Sequence, residues 1–89
     1  MGTIDVKIFQ DQEIKVRCIS REDKYGCFEV GEEYDATYEA PTVTFHDAYF
    51  SIHFRDTVHP FKWDDFYKYF EVLDKEFVGI KKIEVSIII

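Results

Sequence analysis

Glycine, proline, cysteine and methionine are all scarce in this chain, with four, two, two and one residue among 89. So few glycines leave no phosphate-cradling glycine loop, and no Gly-Xaa-Ser-Xaa-Gly elbow occurs. Two cysteines, Cys18 and Cys27, cannot build the dense disulfide framework of a small secreted domain. Long apolar runs are missing too: stretches such as Ile87 to Ile89 fall far short of the ~20 residues that a bilayer requires. Thr3 to Phe9 is broken by charge at every second step, unlike the apolar stretch of a signal peptide. Repeats, low-complexity tracts and linkers are absent, so the expectation is a single domain over 1–89, cytoplasmic and away from membranes.

Positive charge is the remaining shortage. Eleven Lys and Arg stand against 18 Asp and Glu, a formal charge of -7 with a pI near 4.8. Such a surface repels phosphate backbones at long range and argues against a general coater of nucleic acid. What is present in quantity is apolar and aromatic: 46% hydrophobic and 18% aromatic residues, far from the signature of a disordered chain.

Strict apolar-polar alternation, the mark of a half-buried strand, recurs along the sequence. Ile4, Val6 and Ile8 form one inward set, and Ile14, Val16 and Cys18 a second, with Glu13, Lys15 and Arg17 facing water. After a charged loop over Ser20 to Gly26 and a turn at Val30-Gly31-Glu32, Tyr34, Ala36 and Tyr38 face in. Pro41 stops that strand, Val43 and Phe45 extend an edge, and Ala48, Phe50, Ile52 and Phe54 make the clearest strand. The pairs Asp56-Thr57 and His59-Pro60 are expected to close it off. Ile83, Val85, Ile87 and Ile89 alternate once more at the C-terminus.

One stretch is ambiguous. Trp63, Phe66, Tyr67, Phe70, Leu73 and Phe77 recur at helical spacing, with Asp64 and Asp65 suited to the start of a helix and Gly79 to its end. The Tyr69-Phe70-Glu71-Val72-Leu73 run fits a strand equally well. Two fold classes follow. One is mainly β, an antiparallel sheet with a turn and then a strand over this stretch and extra N- and C-terminal strands. The other is α+β, an antiparallel sheet with one helix over 63–77.

The segment order Lys15-Val16-Arg17-Cys18-Ile19, a loop, Val30-Gly31-Glu32-Glu33-Tyr34, Tyr49 to Phe54, then Phe66 to Leu73 resembles small SH3-like barrel proteins of phages and prophages. The resemblance covers about residues 15–74. It implies a mainly β fold, a small five-stranded antiparallel SH3-like barrel with a short helix near 64–68, in which Asp64 to Tyr67 is a helical turn before the last strand, and an origin in a phage or mobile element. It carries no site, because a fold does not transfer one.

Catalytic and metal chemistry find little support in the spacing. Cys18, Cys27, His46, His53 and His59 are zinc-type ligands, but the cysteines are nine residues apart and His53 and His59 six, unlike a structural zinc motif. Cys27, with His46-Asp47 elsewhere, is the one conceivable nucleophile set. Adjacent carboxylates such as Asp64-Asp65 and Glu32-Glu33 diverge in a helix or strand. The expectation is therefore a non-enzymatic protein without cofactor or metal.

Charge placement is more informative. From Tyr25 to Phe54 lie six carboxylates, Glu29, Glu32, Glu33, Asp35, Glu39 and Asp47, and no Lys or Arg. Glu33, Asp35 and Glu39 share one strand face with Thr37, at ~7 Å intervals, so the row is expected to repel itself and to attract a basic surface. Of the nine Phe, six Tyr and one Trp, ten lie between Phe45 and Phe70, more than a small core hides, and tyrosines beside acid suit a protein interface. The chain reads as a protein-binding module for a partner with a basic surface, using Glu32, Glu33, Asp35, Glu39, Tyr49 and His53. The alternatives are a single-strand nucleic-acid binder using Lys15 and Arg17, and a small enzyme or zinc domain.

Overall fold

The computed structural model describes residues 10–22 and 24–83. Alternation there becomes five strands, with one helix before the last: β1 (Gln12–Cys18), β2 (Glu33–Glu39), β3 (Tyr49–Phe54), β4 (Thr57–Lys62), α1 (Trp63–Tyr69) and β5 (Phe70–Val72). Every pairing is antiparallel, in the order β4-β3-β2-β1-β5, so the fold is mainly β. β4 and β5 are the ends of this open sheet and are not hydrogen-bonded to each other. No helix among the described residues is long and apolar enough to cross a membrane. The expected strand over Ile4 to Ile8 lies outside the described residues, as does most of that over Ile83 to Ile89.

The ambiguous stretch divides. Trp63–Tyr69 is helical, with Asp64 and Asp65 in its first turn, and Phe70 then swings to φ -138°, ψ 158°. A helix over 63–77 is thereby excluded. Its competitor wins because β1 offers Phe70–Val72 an open ladder, pairing Cys18 with Phe70 and Val16 with Val72, and these aromatic and β-branched residues are only middling helix formers. Gly79 consequently ends no helix. A Cβ there would stand 2.6 Å from Phe77 Cζ and 3.0 Å from Tyr38 Cζ, so its missing side chain lets two rings close over the backbone.

Two further expectations change. His59-Pro60 lies inside β4 rather than in a turn; the turn is Arg55-Asp56, between the paired Phe54 and Thr57. Proline is tolerated because β4 is an edge strand, and the Pro60 carbonyl accepts a hydrogen bond from Tyr25 Oη at 2.7 Å. Val43 and Phe45 extend no strand, since Thr42 N–H donates to Phe45 O at 2.7 Å and closes a tight turn.

The inward positions assemble one aromatic core. Phe50 stacks on Phe66 with centroids 3.8 Å apart, Phe66 on Phe70, and Phe61 and Phe28 meet Phe70 edge-on. All five rings are buried, each contributing about 1.5–3 kcal/mol. Phe61 on β4 and Phe70 on β5 have centroids 5.4 Å apart, so the two sheet ends approach across the core.

Two connections are pinned by polar groups. In the loop between β1 and β2, Glu22 is buried, and its carboxylate accepts from the Tyr25 and Gly26 N–H groups, each at 2.8 Å. Gly31, at φ 91°, makes the turn closed by Glu32 N–H on Glu29 O and delivers the chain into β2. After β5, buried Tyr38 clasps the returning chain: its hydroxyl donates to Ile80 O at 3.0 Å and accepts from Ile80 N–H at 2.9 Å. Ala48 N–H to Lys81 O and Ile83 N–H to His46 O tie that segment to the start of β3.

Candidate protein-binding face

The wet face of β1, β2 and β3 carries every candidate residue except Glu32, which stands exposed just before β2. Glu32 and Glu39 are seven residues apart on extended backbone, roughly 23 Å, so the six candidates do not converge on one spot.

Register decides what each carboxylate meets. β1 pairs Arg17 with Glu33, Lys15 with Asp35 and Glu13 with Thr37. Lys15 Nζ lies 2.6 Å from Asp35 Oδ1, and Arg17 spans Glu33 at 3.4 Å and Glu71 of β5 at 3.2 Å. The Lys15 ammonium, by hydrogen bond and charge, holds the Asp35 carboxyl below the usual aspartate range, and Asp35 raises Lys15 in return. The expected self-repelling row is therefore corrected: at its Glu33-Asp35 end it is half of a cross-strand ladder of ion pairs. These pairs also engage Lys15 and Arg17, the two cations of the nucleic-acid reading.

His53 occupies the middle of the face. Thr37 Oγ1 donates to Glu13 Oε1 at 3.0 Å, so its single proton is committed and its oxygen accepts from His53 Nε2, also at 3.0 Å. The chain Glu13-Thr37-His53 thus orients the imidazole and does not activate the threonine.

The far end is different. Glu39 accepts a short hydrogen bond from the Ser51 hydroxyl, and Tyr49 lies opposite it on β3. Beside them the β2–β3 connection folds back to form a cleft of about 280 Å³, lined by Asp11, Glu39, Ala40, Thr42, Phe45, Asp47 and Tyr49. Asp11 Oδ1 accepts the Ala40 N–H at 2.9 Å, fixing one wall. Phe45, 73% exposed, is held by two hydrogen bonds to Thr42. Among the described residues Glu39 and Asp47 make no ion pair. Asp11, Thr42, Phe45 and Asp47 are missing from the sequence-predicted binding residues because they lie before or between strands and not on an alternating face. The only available signal was Asp47 within the acid-rich, lysine-free stretch.

The cysteines and histidines are scattered. Cys18 is buried, its thiol donating to Ser20 O, and burial pushes its pKa up. Cys27 meets His59, at 4.0 Å from Sγ to Nε2, not His46 as the nucleophile reading required. Thr57 Oγ1 donates to Phe54 O and so accepts from His59 Nε2 at 2.9 Å, which leaves that nitrogen no lone pair for the thiol. Burial, and then Glu22, raise the Cys27 pKa, the reverse of an activated nucleophile. Among the described residues no three His, Cys, Asp or Glu side chains gather as a metal-ligand set.

Comparison with known proteins adds no assignment: no family model, no curated protein and no solved structure matches this chain.

Proposed function

We propose that this protein is a small SH3-like barrel domain that acts without catalysis, binding a partner protein that presents a basic surface. For the barrel, the support is the strand order 4-3-2-1-5, the one-helix link between β4 and β5, and the Phe61–Phe70 contact between the sheet ends. For the binding role, one observation carries the reading: carboxylates at the Glu33-Asp35 end are matched by Lys15 and Arg17, whereas Glu39 and Asp47 make no ion pair among the described residues and flank Tyr49. A carboxylate with no cation paired to it among the described residues is available to a basic partner, and an amphipathic ring beside it adds contact area at small entropic cost.

The test is fluorescence anisotropy with a labelled oligolysine peptide and, separately, a labelled single-stranded oligonucleotide, each over a range of salt. Binding of the peptide that weakens as salt rises is expected, with a flat response from the oligonucleotide. Capture of the oligonucleotide with no response from the peptide would refute the proposal.

A further inference from the structure

We propose that the cleft between the end of β2 and the β2–β3 connection is an arginine-accepting pocket, in which one guanidinium of the basic partner lies against Phe45 and Tyr49 and bonds to Glu39 and Asp47. This rests on the protein-binding reading and narrows it to one occupant. The first observation is shape. The cleft holds about 280 Å³, far more than a water needs, and of its two aromatic rings Phe45 is exposed and Tyr49 half-buried. The second is the Phe45 ring itself. It is the most exposed large apolar side chain among the described residues, and Thr42 holds the backbone that carries it: Thr42 N–H donates to Phe45 O at 2.7 Å, and Phe45 N–H donates to Thr42 Oγ1 at 2.9 Å. A ring displayed on a fixed turn has its backbone already ordered, which leaves only the side-chain torsions to immobilise on binding.

Charge selects the occupant. Among the described residues no Lys or Arg lines the cleft. Lys62 lies across from Tyr49 in the sheet and Lys82 across the isolated bridge from Asp47, but neither forms an ion pair among the described residues. Glu39 is oriented by the Ser51 hydroxyl at one carboxylate oxygen, which leaves the other to meet a donor. Arginine suits this wall better than lysine. Its planar cation stacks on aromatic faces and presents parallel N–H groups to a carboxylate, whereas an ammonium is a strongly hydrated point charge.

The experiment titrates the whole chain with oligoarginine and oligolysine peptides of equal length, following amide shifts by NMR and affinity by anisotropy. Arginine is expected to bind about tenfold more tightly, with shift changes centred on Glu39, Thr42, Phe45, Asp47 and Tyr49. Glu39→Gln with Asp47→Asn should weaken oligoarginine about tenfold, Phe45→Ala should erase the preference over lysine, and Glu33→Gln with Asp35→Asn should leave both unchanged. Phe45 is exposed and the carboxylate changes are isosteric, so thermal unfolding should confirm that these variants stay folded. Equal affinity for both peptides, or equal loss from the two carboxylate pairs, would overturn the pocket while leaving the broader reading intact. No binding of either peptide would overturn both.

Discussion

Replacing Glu22 by glutamine is expected to remove about 2 kcal/mol of stability, although the two side chains are nearly the same size. The Glu22 side chain is 1% exposed, and its two oxygens accept the Tyr25 and Gly26 N–H groups, each at 2.8 Å. Glutamine keeps one acceptor and puts an amide N–H₂ where the second stood, so one backbone donor would face another donor. A hydrogen bond to a charged group contributes about 1.5–3 kcal/mol, and a buried donor left without a partner costs a similar amount. For a domain of this size a 2 kcal/mol loss lowers the melting temperature by roughly 8–16 °C. In urea the midpoint should fall by about 1 M with an unchanged slope, followed through Trp63 fluorescence. Hydrogen exchange at the Tyr25 and Gly26 amides should accelerate more than at β2. Exposed Glu32→Gln is the control, expected within about 0.5 kcal/mol of the parent. A Glu22→Gln midpoint indistinguishable from that control would show that the carboxylate does not hold the loop.

Asp35 and Lys15 make a pH prediction with a definite sign. Asp35 titrates below its ordinary 3.8 in the folded chain, so its stabilising share is present above that value and disappears as pH falls further, through the lowered pKa. Lys15 is raised above 10.5, so its share is present below that value and disappears as pH climbs past it. NMR titration of the Asp35 carboxyl should give a lowered pKa that returns toward 3.8 in Lys15→Met; an unmoved midpoint would deny the pair. Gly79→Ala forces the Phe77 and Tyr38 rings apart and should cost about 1–3 kcal/mol of stability by calorimetry, since overpacking strains a filled core. Cys27, its pKa raised first by burial, should react with iodoacetamide more slowly than a free cysteine at neutral pH, with a rate profile displaced to higher pH. Faster alkylation than the free amino acid would contradict the hydrogen bonding assigned to His59.

Alternation alone determined β1, β2 and β3 and their inward sets, because a pleated strand sends successive side chains to opposite faces and only one face is dry. Ile14, Val16, Ala36, Tyr38, Phe50 and Ile52 are buried where that arithmetic placed them. Helical spacing from Trp63 onward was legible too, but where the helix ended was not. Whether Phe70 continued a helix or joined a sheet depended on β1, more than fifty residues away, presenting an unpaired edge. Tertiary structure alone decided the meaning of the acid row. Glu33 and Asp35 read as bare charge until register set them against Arg17 and Lys15, and a long intervening loop leaves that register open. The same holds for Glu22, written as one charge in a polar loop and buried because the chain curls around its carboxylate. It holds as well for the Glu39 cleft, whose other walls come from a non-periodic connection. Periodicity specifies which side of an element meets the core. Which charges meet one another depends on contacts between distant segments, and local sequence does not encode those distances.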